Sequence, residues 1–509
     1  MVGVNKKGIK MEYPQIIQGG MGIAVSDWNL AKHVSQLGQL GVVSATALDN
    51  VIVRRLQMGD PGGNVRRALR HFPFPDVAKR ILERYYIEGG KDPDKTFAAV
   101  PMYTLEPRVE LVELTVVANF VEIFLAGEGH NGLVGVNLLT KIQMPNMASI
   151  FGTMLAGVDY VIMGAGIPRE IPGVIDALSR GEAAELKISV EGEGEDVLMQ
   201  FDPKSYGMGV DSLKRPNFLA IISSVTLGQA LLKRATGEIN GFVVELPVAG
   251  GHNAPPRGKM QIDENGEPIY GPRDEIDLAK IAALGKPFWV AGSFAYPHRL
   301  REVLEVGGQG IQVGTAFAYC DESGLDPEFR ADALRQVRAG TLGVFTDPVA
   351  SPTGFPFKVV QSPDSLAEQN VYDERPRVCN LGYLRSVYKR EDGKLGYRCA
   401  SEPVRSYVKK GGECANTEGR KCLCNALMAN IGLPQRRPSG YVEKPLFTAG
   451  DDLPAVVRFL GDEKNNYTAA EVIQYLLESS GIEFSIPTWS VEAVEEEVEV
   501  SYEGAKVLV

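Results

Sequence analysis

The stretch PFWVAGSFAYPHRLREVLEVGGQGIQVGTAF, Pro287 to Phe317, reads as strand, helix and strand in one short run. Its ends, PFWVAGS and GIQVGTAF, are nearly continuous apolar segments that finish in small residues. Between them HRLREVLEVGG carries apolar residues at spacings of three and four and stops in glycine, a helix end signal. Strands apolar on both faces and joined by a helical crossover belong to a parallel sheet covered by helices.

Working outward, the same unit recurs. Strands are expected at QIIQGG (15–20), GVVSATA (41–47), LVGVNLL (133–139), DYVIMGA (159–165), FLAIISS (218–224) and GFVVEL (241–246), followed by PFWVAGS (287–293) and GIQVGTAF (310–317). Amphipathic segments such as WNLAKHVSQLGQ, MASIFGTMLAG, TLGQALLKRATG and IDLAKIAALG lie between them. Eight such units predict an α/β fold closed as a (β/α)8 TIM barrel rather than an open sheet. Two intervals are too long for a simple crossover: residues 50–108 are expected to form a helical insertion and residues 180–212, where KISVEGEGEDVLMQF alternates apolar and polar, a hairpin. These readings place the barrel at 1–345, a cysteine-containing extension at 346–438, and a helical, acidic tail at 439–509 that ends in a segment expected to be mobile.

Composition narrows the function classes. With 509 residues, 44% hydrophobic and 23% charged, the chain reads as an ordinary soluble globular protein. A formal net charge of -11 argues against a nucleic-acid partner. The apolar stretch LVELTVVANFVEIFLAG from Leu111 contains Glu113 and Glu122 and repeats at helical spacing, so it is expected as a core-packed helix and not a membrane span. The opening residues MVGVNKKGIKMEYPQ have lysines but no apolar run behind them, so no secretory signal is expected. Six cysteines in a chain this long point to a reducing, cytoplasmic location.

A barrel of this kind places its chemistry where strands end and loops begin, often with a phosphate beside the loops after strands seven and eight. There the chain offers Gly292 and Ser293, then Gln312, Val313, Gly314 and Thr315. Glycine permits close backbone approach and the hydroxyls supply partners, although packing at strand ends also calls for small residues. Strand one closes with Gly20, Met21 and Gly22, baring backbone where a flat ring could lie, and Asn137 on strand three offers both donor and acceptor. Strand six runs into VAGGHNAP: Gly250 and Gly251 read as clearance for a ligand, and His252, one of five histidines, as a general base. A lone histidine is more often structural; the strand-end position is what points to function. No dinucleotide-type Gly-x-Gly-x-x-Gly follows a strand and no P-loop occurs, so a Rossmann-bound dinucleotide is not expected.

Taken in order, IIQGGMG, VGVNLL, VIMGAGIP, VVELPVAGGHNAP, VAGSFA and GIQVGTAF resemble the successive motifs of the nitronate monooxygenase (2-nitropropane dioxygenase) family, which includes flavin-dependent enoyl reductases of the polyunsaturated-fatty-acid synthase type. The resemblance covers most of Gln15 to about Asp326. It implies an FMN-binding barrel, with Gly20 to Gly22 and Asn137 beside the isoalloxazine ring and Gly292, Ser293 and Gln312 to Thr315 around the phosphate. It implies that His252, preceded by Gly250 and Gly251, sits over the flavin as base or proton donor. The activity implied is oxidation of a small nitronate-type substrate through flavin and oxygen. Reduction of an enoyl thioester with NAD(P)H as electron donor is the alternative, and a non-catalytic flavin-binding regulatory subunit is a third reading. YGPRDEIDLAK departs from the glutamine-containing segment of typical members, while ANFVEIFLAGEGHNGLVGVNLLTKIQMPN is similar to the reductase branch. Residues after Gly340 lie outside the family's minimal domain and offer a surface for a second copy or a partner subunit.

Five of the six cysteines, Cys379, Cys399, Cys414, Cys422 and Cys424, crowd into this extension. They form no Cys-x-x-Cys pair, so no metal site is expected from spacing. Buried small hydrophobes are one reading; a redox thiol near the flavin, activated by Arg420 and Lys421, is another.

Overall fold

The computed structural model describes residues 13–192, 195–461 and 464–487. The expectations of no secretory signal and of a mobile acidic end rest largely on residues 1–12 and 488–509, outside the described residues.

All eight expected strands form. They are β1 (Ile16–Gln18), β2 (Gly41–Ser44), β3 (Val134–Leu139), β4 (Tyr160–Gly164), β5 (Asn217–Ile222), β6 (Gly241–Glu245), β7 (Phe288–Ala291) and β8 (Gly310–Val313). Every pairing between neighbours is parallel, in the order β1-β8-β7-β6-β5-β4-β3-β2. The ring closes where the Gln18 N–H donates to the Leu40 carbonyl at 3.0 Å and the Leu40 N–H to the Ile16 carbonyl at 3.1 Å. The strands stop short of the small residues that follow them; GIQVGTAF leaves the ladder at Val313, and Thr315–Ala318 is a helical turn.

Side chains alternate along a strand, so each barrel strand feeds two cores. Ile17, Val42, Ile162, Leu219, Val243 and Trp289 fill the barrel, while Ile16, Val43, Val161, Phe218, Val244, Val290 and Ile311 join the larger cluster under the helices. At the N-terminal end the Trp289 indole N–H donates to the Pro14 carbonyl at 2.8 Å, and Tyr13 lies edge-on to it with centroids 6.0 Å apart. That end is plugged, which leaves the C-terminal mouth as the open end.

The insertions follow the sequence pattern. Helices Leu48–Gln57, Asn64–Leu69 and Pro75–Tyr85 precede the long helix Val109–Gly127, which is buried almost throughout. Its two buried carboxylates are paired, Glu113 with Arg80 and Glu122 with Arg55, which is how they persist in so apolar a segment. Among the described residues no helix is long and apolar enough to cross a membrane. The hairpin expected within 180–212 pairs Ala184–Ile188 with Val197–Phe201.

The C-terminal third is woven into the barrel. A hairpin of Val344–Asp347 and Phe357–Val360 leans on the loop after β6, where His252 and Phe357 form an antiparallel bridge. Ser386–Lys389 pairs with Leu395–Arg398 and with Val190–Glu191 of the second insertion. Helix Ala469–Glu478, opened by a capping box of Thr468 and Glu471, packs beside Trp28–Gln36 and Pro297–Glu305. Phe357, Leu423, Leu446 and Leu476 share the main core cluster with the barrel helices.

Candidate active site

At the C-terminal mouth a cavity with about 1470 Å³ of empty space opens to solvent. Gly20, Met21 and Gly22 line it from β1, Asn137 from β3, Gly250, Gly251 and His252 from the loop after β6, Gly292 and Ser293 after β7, and Gln312 to Thr315 at the end of β8. The structure thus brings together every residue that the strand-end reading selected.

The pleat explains the inner wall. Glu245, Ala291 and Gln312 stand in register on adjacent strands, as do Ser44 and Asn137. Gly20 is glycine for a reason internal to the protein: a Cβ there would stand 2.3 Å from the Asn137 Cβ. Gln312 Oε1 is buried and accepts no hydrogen bond, which costs about 1–3 kcal/mol until a donor arrives. Ala165 (φ 53°) and Ser293 (φ 56°) hold left-handed backbone without being glycine, and both line the cavity. Such strain concentrates at binding and catalytic sites.

At Gly250 the bare backbone serves a neighbour other than the expected ligand. Gly250 gives clearance to the protein's own C-terminal segment, because a Cβ there would lie 2.8 Å from the Ala449 carbonyl carbon and 2.9 Å from the Gly450 nitrogen. The Gly251 N–H donates to Thr448 Oγ1 at 2.8 Å, and the Gly450 N–H donates to Thr315 Oγ1 at 2.9 Å. The Thr315 hydroxyl is therefore engaged by the chain itself, and it also bonds Asp452, whose carboxyl burial pushes up. Residues Thr448, Ala449, Gly450 and Asp452 line the mouth, and the sequence reading did not include them.

His252 is held from the same side. Its Nε2 lies 2.7 Å from Ser351 Oγ, which lies 2.8 Å from Thr353 Oγ1, and the ring stands edge-on to Phe357 with centroids 4.8 Å apart. The flanking backbone is pinned by the Lys358 N–H donating to the Gly251 carbonyl at 3.0 Å and the Asn253 N–H to the Pro356 carbonyl at 3.0 Å. Burial, and then the charge of Lys141, lower the imidazole pKa from 6.5 to about 4. His252 is therefore neutral at physiological pH.

Glu245 is the second titratable group of the wall, and burial raises its pKa from 4.5 to about 7. The folded protein thus keeps a proton that the unfolded chain releases between pH 4.5 and about 7, and it loses stability as pH rises through that window. Glu245→Gln should raise Tm relative to the parent more at about pH 8 than at about pH 5. An equal shift at the two pH values would contradict the assignment.

Among the described residues no lysine or arginine lines the mouth, while Glu245 and Asp452 are acidic. A bound anion takes its donors from neutral groups, backbone N–H and side chains such as Ser293, and the loops after β7 and β8 are the small-residue loops able to bring backbone close. Bare backbone at Gly20 and Gly22, the orphan acceptor of Gln312 and these two loops fit a flat cofactor with a phosphate tail, FMN.

The thiol expected beside the cofactor is not found there: no cysteine lines the mouth. Arg420 donates to the Val349 and Ser351 carbonyls, and Lys421 Nζ sits 4.5 Å from the Tyr372 ring centroid. Cys379, Cys399, Cys422 and Cys424 instead border a separate, smaller cavity, and Cys414 is exposed.

Comparison with known proteins bears out the resemblance read from the motifs. The chain is 31% identical over 131 residues to a nitronate monooxygenase of Pseudomonas aeruginosa, covering 26% of this chain and 35% of that protein. It is 31% identical over 132 residues to a probable nitronate monooxygenase of Bacillus subtilis, covering 26% of this chain and 36% of that protein. The match thus spans only about a third of the length of these curated relatives. No protein-family profile matches the chain. Among solved structures, FabK from Thermotoga maritima aligns with a TM-score of 0.44 at 14% identity, over 93% of this chain and 94% of that one. A nitroalkane oxidase from Streptomyces ansochromogenes aligns with a TM-score of 0.43 at 13% identity, over 92% and 96%.

Proposed function

We propose that the protein is an FMN-dependent oxidoreductase of the nitronate monooxygenase type that oxidises a small nitronate. The observation that carries this reading is a neutral histidine fixed on the wall of a cavity of bare backbone and one orphan acceptor. Two curated relatives named as nitronate monooxygenases support it. Bound FMN would supply the electron-accepting group and return electrons to oxygen.

The chain's own residues bind, orient and manage protons. Gly20 to Gly22 and Asn137 would bound the ring, Gln312 Oε1 offers it an acceptor, and the Gly292–Ser293 and Gly314–Thr315 backbone would take the phosphate. A nitronate arrives already deprotonated, as an anion. Neutral His252 can hydrogen-bond that anion without a competing carboxylate on its ring, since Nε2 is held by a hydroxyl. The Lys141 ammonium, near enough to depress the imidazole pKa, favours negative charge at the same place.

A second reading, an enoyl-thioester reductase drawing on NAD(P)H, is favoured by the Glu245 carboxyl in the wall of the mouth. That reaction needs a proton donor for the α-carbon, for which Glu245, with a pKa of about 7, is better poised than His252 at about 4. Anaerobic titration of the FMN-loaded protein separates the readings. Bleaching of the flavin by an alkyl nitronate but not by NAD(P)H is the expected result, bleaching by NAD(P)H transfers the assignment to the reductase, and bleaching by neither leaves a non-catalytic flavin-binding subunit.

A further inference from the structure

We propose that Cys379, Cys399, Cys422 and Cys424 hold an iron–sulfur cluster of the [4Fe–4S] type. The four come from three places: Cys379 ahead of the strand Ser386–Lys389, Cys399 just after Leu395–Arg398, and Cys422 with Cys424 at the start of helix Leu423–Ala429. Folding gathers them around one small, partly open pocket, and none is in a disulfide.

Two simpler uses of four thiols fit less well. Cysteines acting as small hydrophobes need no common focus; these four, drawn from three segments, converge on one. A structural zinc draws its four sulfurs to within about 3.8 Å of one another, given Zn–S bonds of about 2.3 Å. Among the described residues no group of three or more His, Cys, Asp or Glu side chains is arranged to hold a single metal ion. A cuboidal cluster differs on this point, because its own iron and sulfide fill the space between the thiolates and each cysteine takes one corner.

The surroundings suit buried thiolate ligands. Cys424 receives hydrogen bonds from the Tyr383 and Leu384 backbone N–H groups, Asn425 Nδ2 donates to Cys422 Sγ at 3.5 Å, and Cys399 Sγ lies 3.2 Å from Ser401 Oγ. Arg375 interacts electrostatically with Cys422, and Arg385 with Cys379 and Cys399, so cationic charge is on hand for an anionic cluster. Donors to the sulfurs and nearby charge are the levers by which proteins hold and tune such centres.

The site adjoins the barrel mouth. Helix Leu423–Ala429 begins at the thiol cavity, and its Leu427 lines the larger one. Leu427 lies three positions after Cys424, about 4.5 Å of helical rise.

The test uses the full chain, produced with iron and purified without oxygen or chelators, and counts metal and sulfide, so its outcome is independent of the flavin assignment. About four iron and four acid-labile sulfide per chain are expected, with an electron paramagnetic resonance signal of a reduced cluster after dithionite. Cys379→Ser and Cys422→Ser should each lose most of that iron, while Cys414→Ser, exposed and away from the cavity, should keep it. Stoichiometric zinc, or protein without iron after anaerobic reconstitution with ferrous iron and sulfide, would overturn the proposal. So would equal iron loss in Cys414→Ser. Because the unsubstituted chain is itself assayed, poor folding of a cysteine variant does not shield the proposal.

Discussion

His252→Ala is expected to leave FMN bound while slowing substrate-dependent flavin reduction about 100-fold, the scale of losing one positioned hydrogen-bond donor to a charged reactant. The Ser351 hydroxyl, itself bonded to Thr353, holds the ring at Nε2, Phe357 packs against it edge to face, and among the described residues no hydrogen bond engages Nδ1. Nothing in that arrangement bears on the loops assigned to the phosphate, so cofactor affinity should be spared. The same burial sets the pH dependence. With its pKa lowered from 6.5 to about 4, the folded protein binds fewer protons than the unfolded chain in that interval and is destabilised as pH falls through it. The acid limb of turnover should therefore lie near pH 4 and not near 6.5. Stopped-flow reduction across pH checks both points; unchanged rates in His252→Ala would remove the histidine from the chemistry.

Gly20→Ala should cost FMN affinity at least about tenfold while the fold persists. The added Cβ would stand 2.3 Å from the Asn137 Cβ and 3.0 Å from its Cγ, so the amide must move or β1 must yield. Overpacking of this kind costs about 1–3 kcal/mol. Asn137 lies on a strand paired on both sides, to β2 and β4, so relief falls on its side chain and on the Gly20–Gly22 backbone, the two features assigned to the ring. Equilibrium FMN titration measures the loss, and far-UV circular dichroism confirms the barrel. Affinity equal to that of the parent would detach Gly20 and Asn137 from the cofactor.

What could be read from the sequence follows from what is local. The barrel strands are short, apolar on both faces and bounded by small residues, so each announces itself within a few positions, and their parallel order follows from the helices between them. The mouth was legible for the same reason, since strand ends name the residues that meet there. Glu245 escaped notice because GFVVEL reads as one apolar run; only the pleat, which points Val243 and Glu245 to the same side, turns its carboxyl inward. Gly250 was selected for the right position and the wrong neighbour, because Ala449 and Gly450 lie almost 200 residues away and nothing near Gly250 announces them. The four cysteines show the same limit: the spacing of Cys379, Cys399, Cys422 and Cys424 matches no compact ligand motif, and only the packed extension brings them to one cavity.

The central claim is that the barrel mouth is a flavin site. Its most direct measurement is the absorption spectrum and flavin content of the full chain, as purified and after incubation with FMN. The account predicts a yellow protein with flavin maxima and about one FMN per chain, released as FMN on denaturation. A colourless protein that takes up no FMN would contradict it.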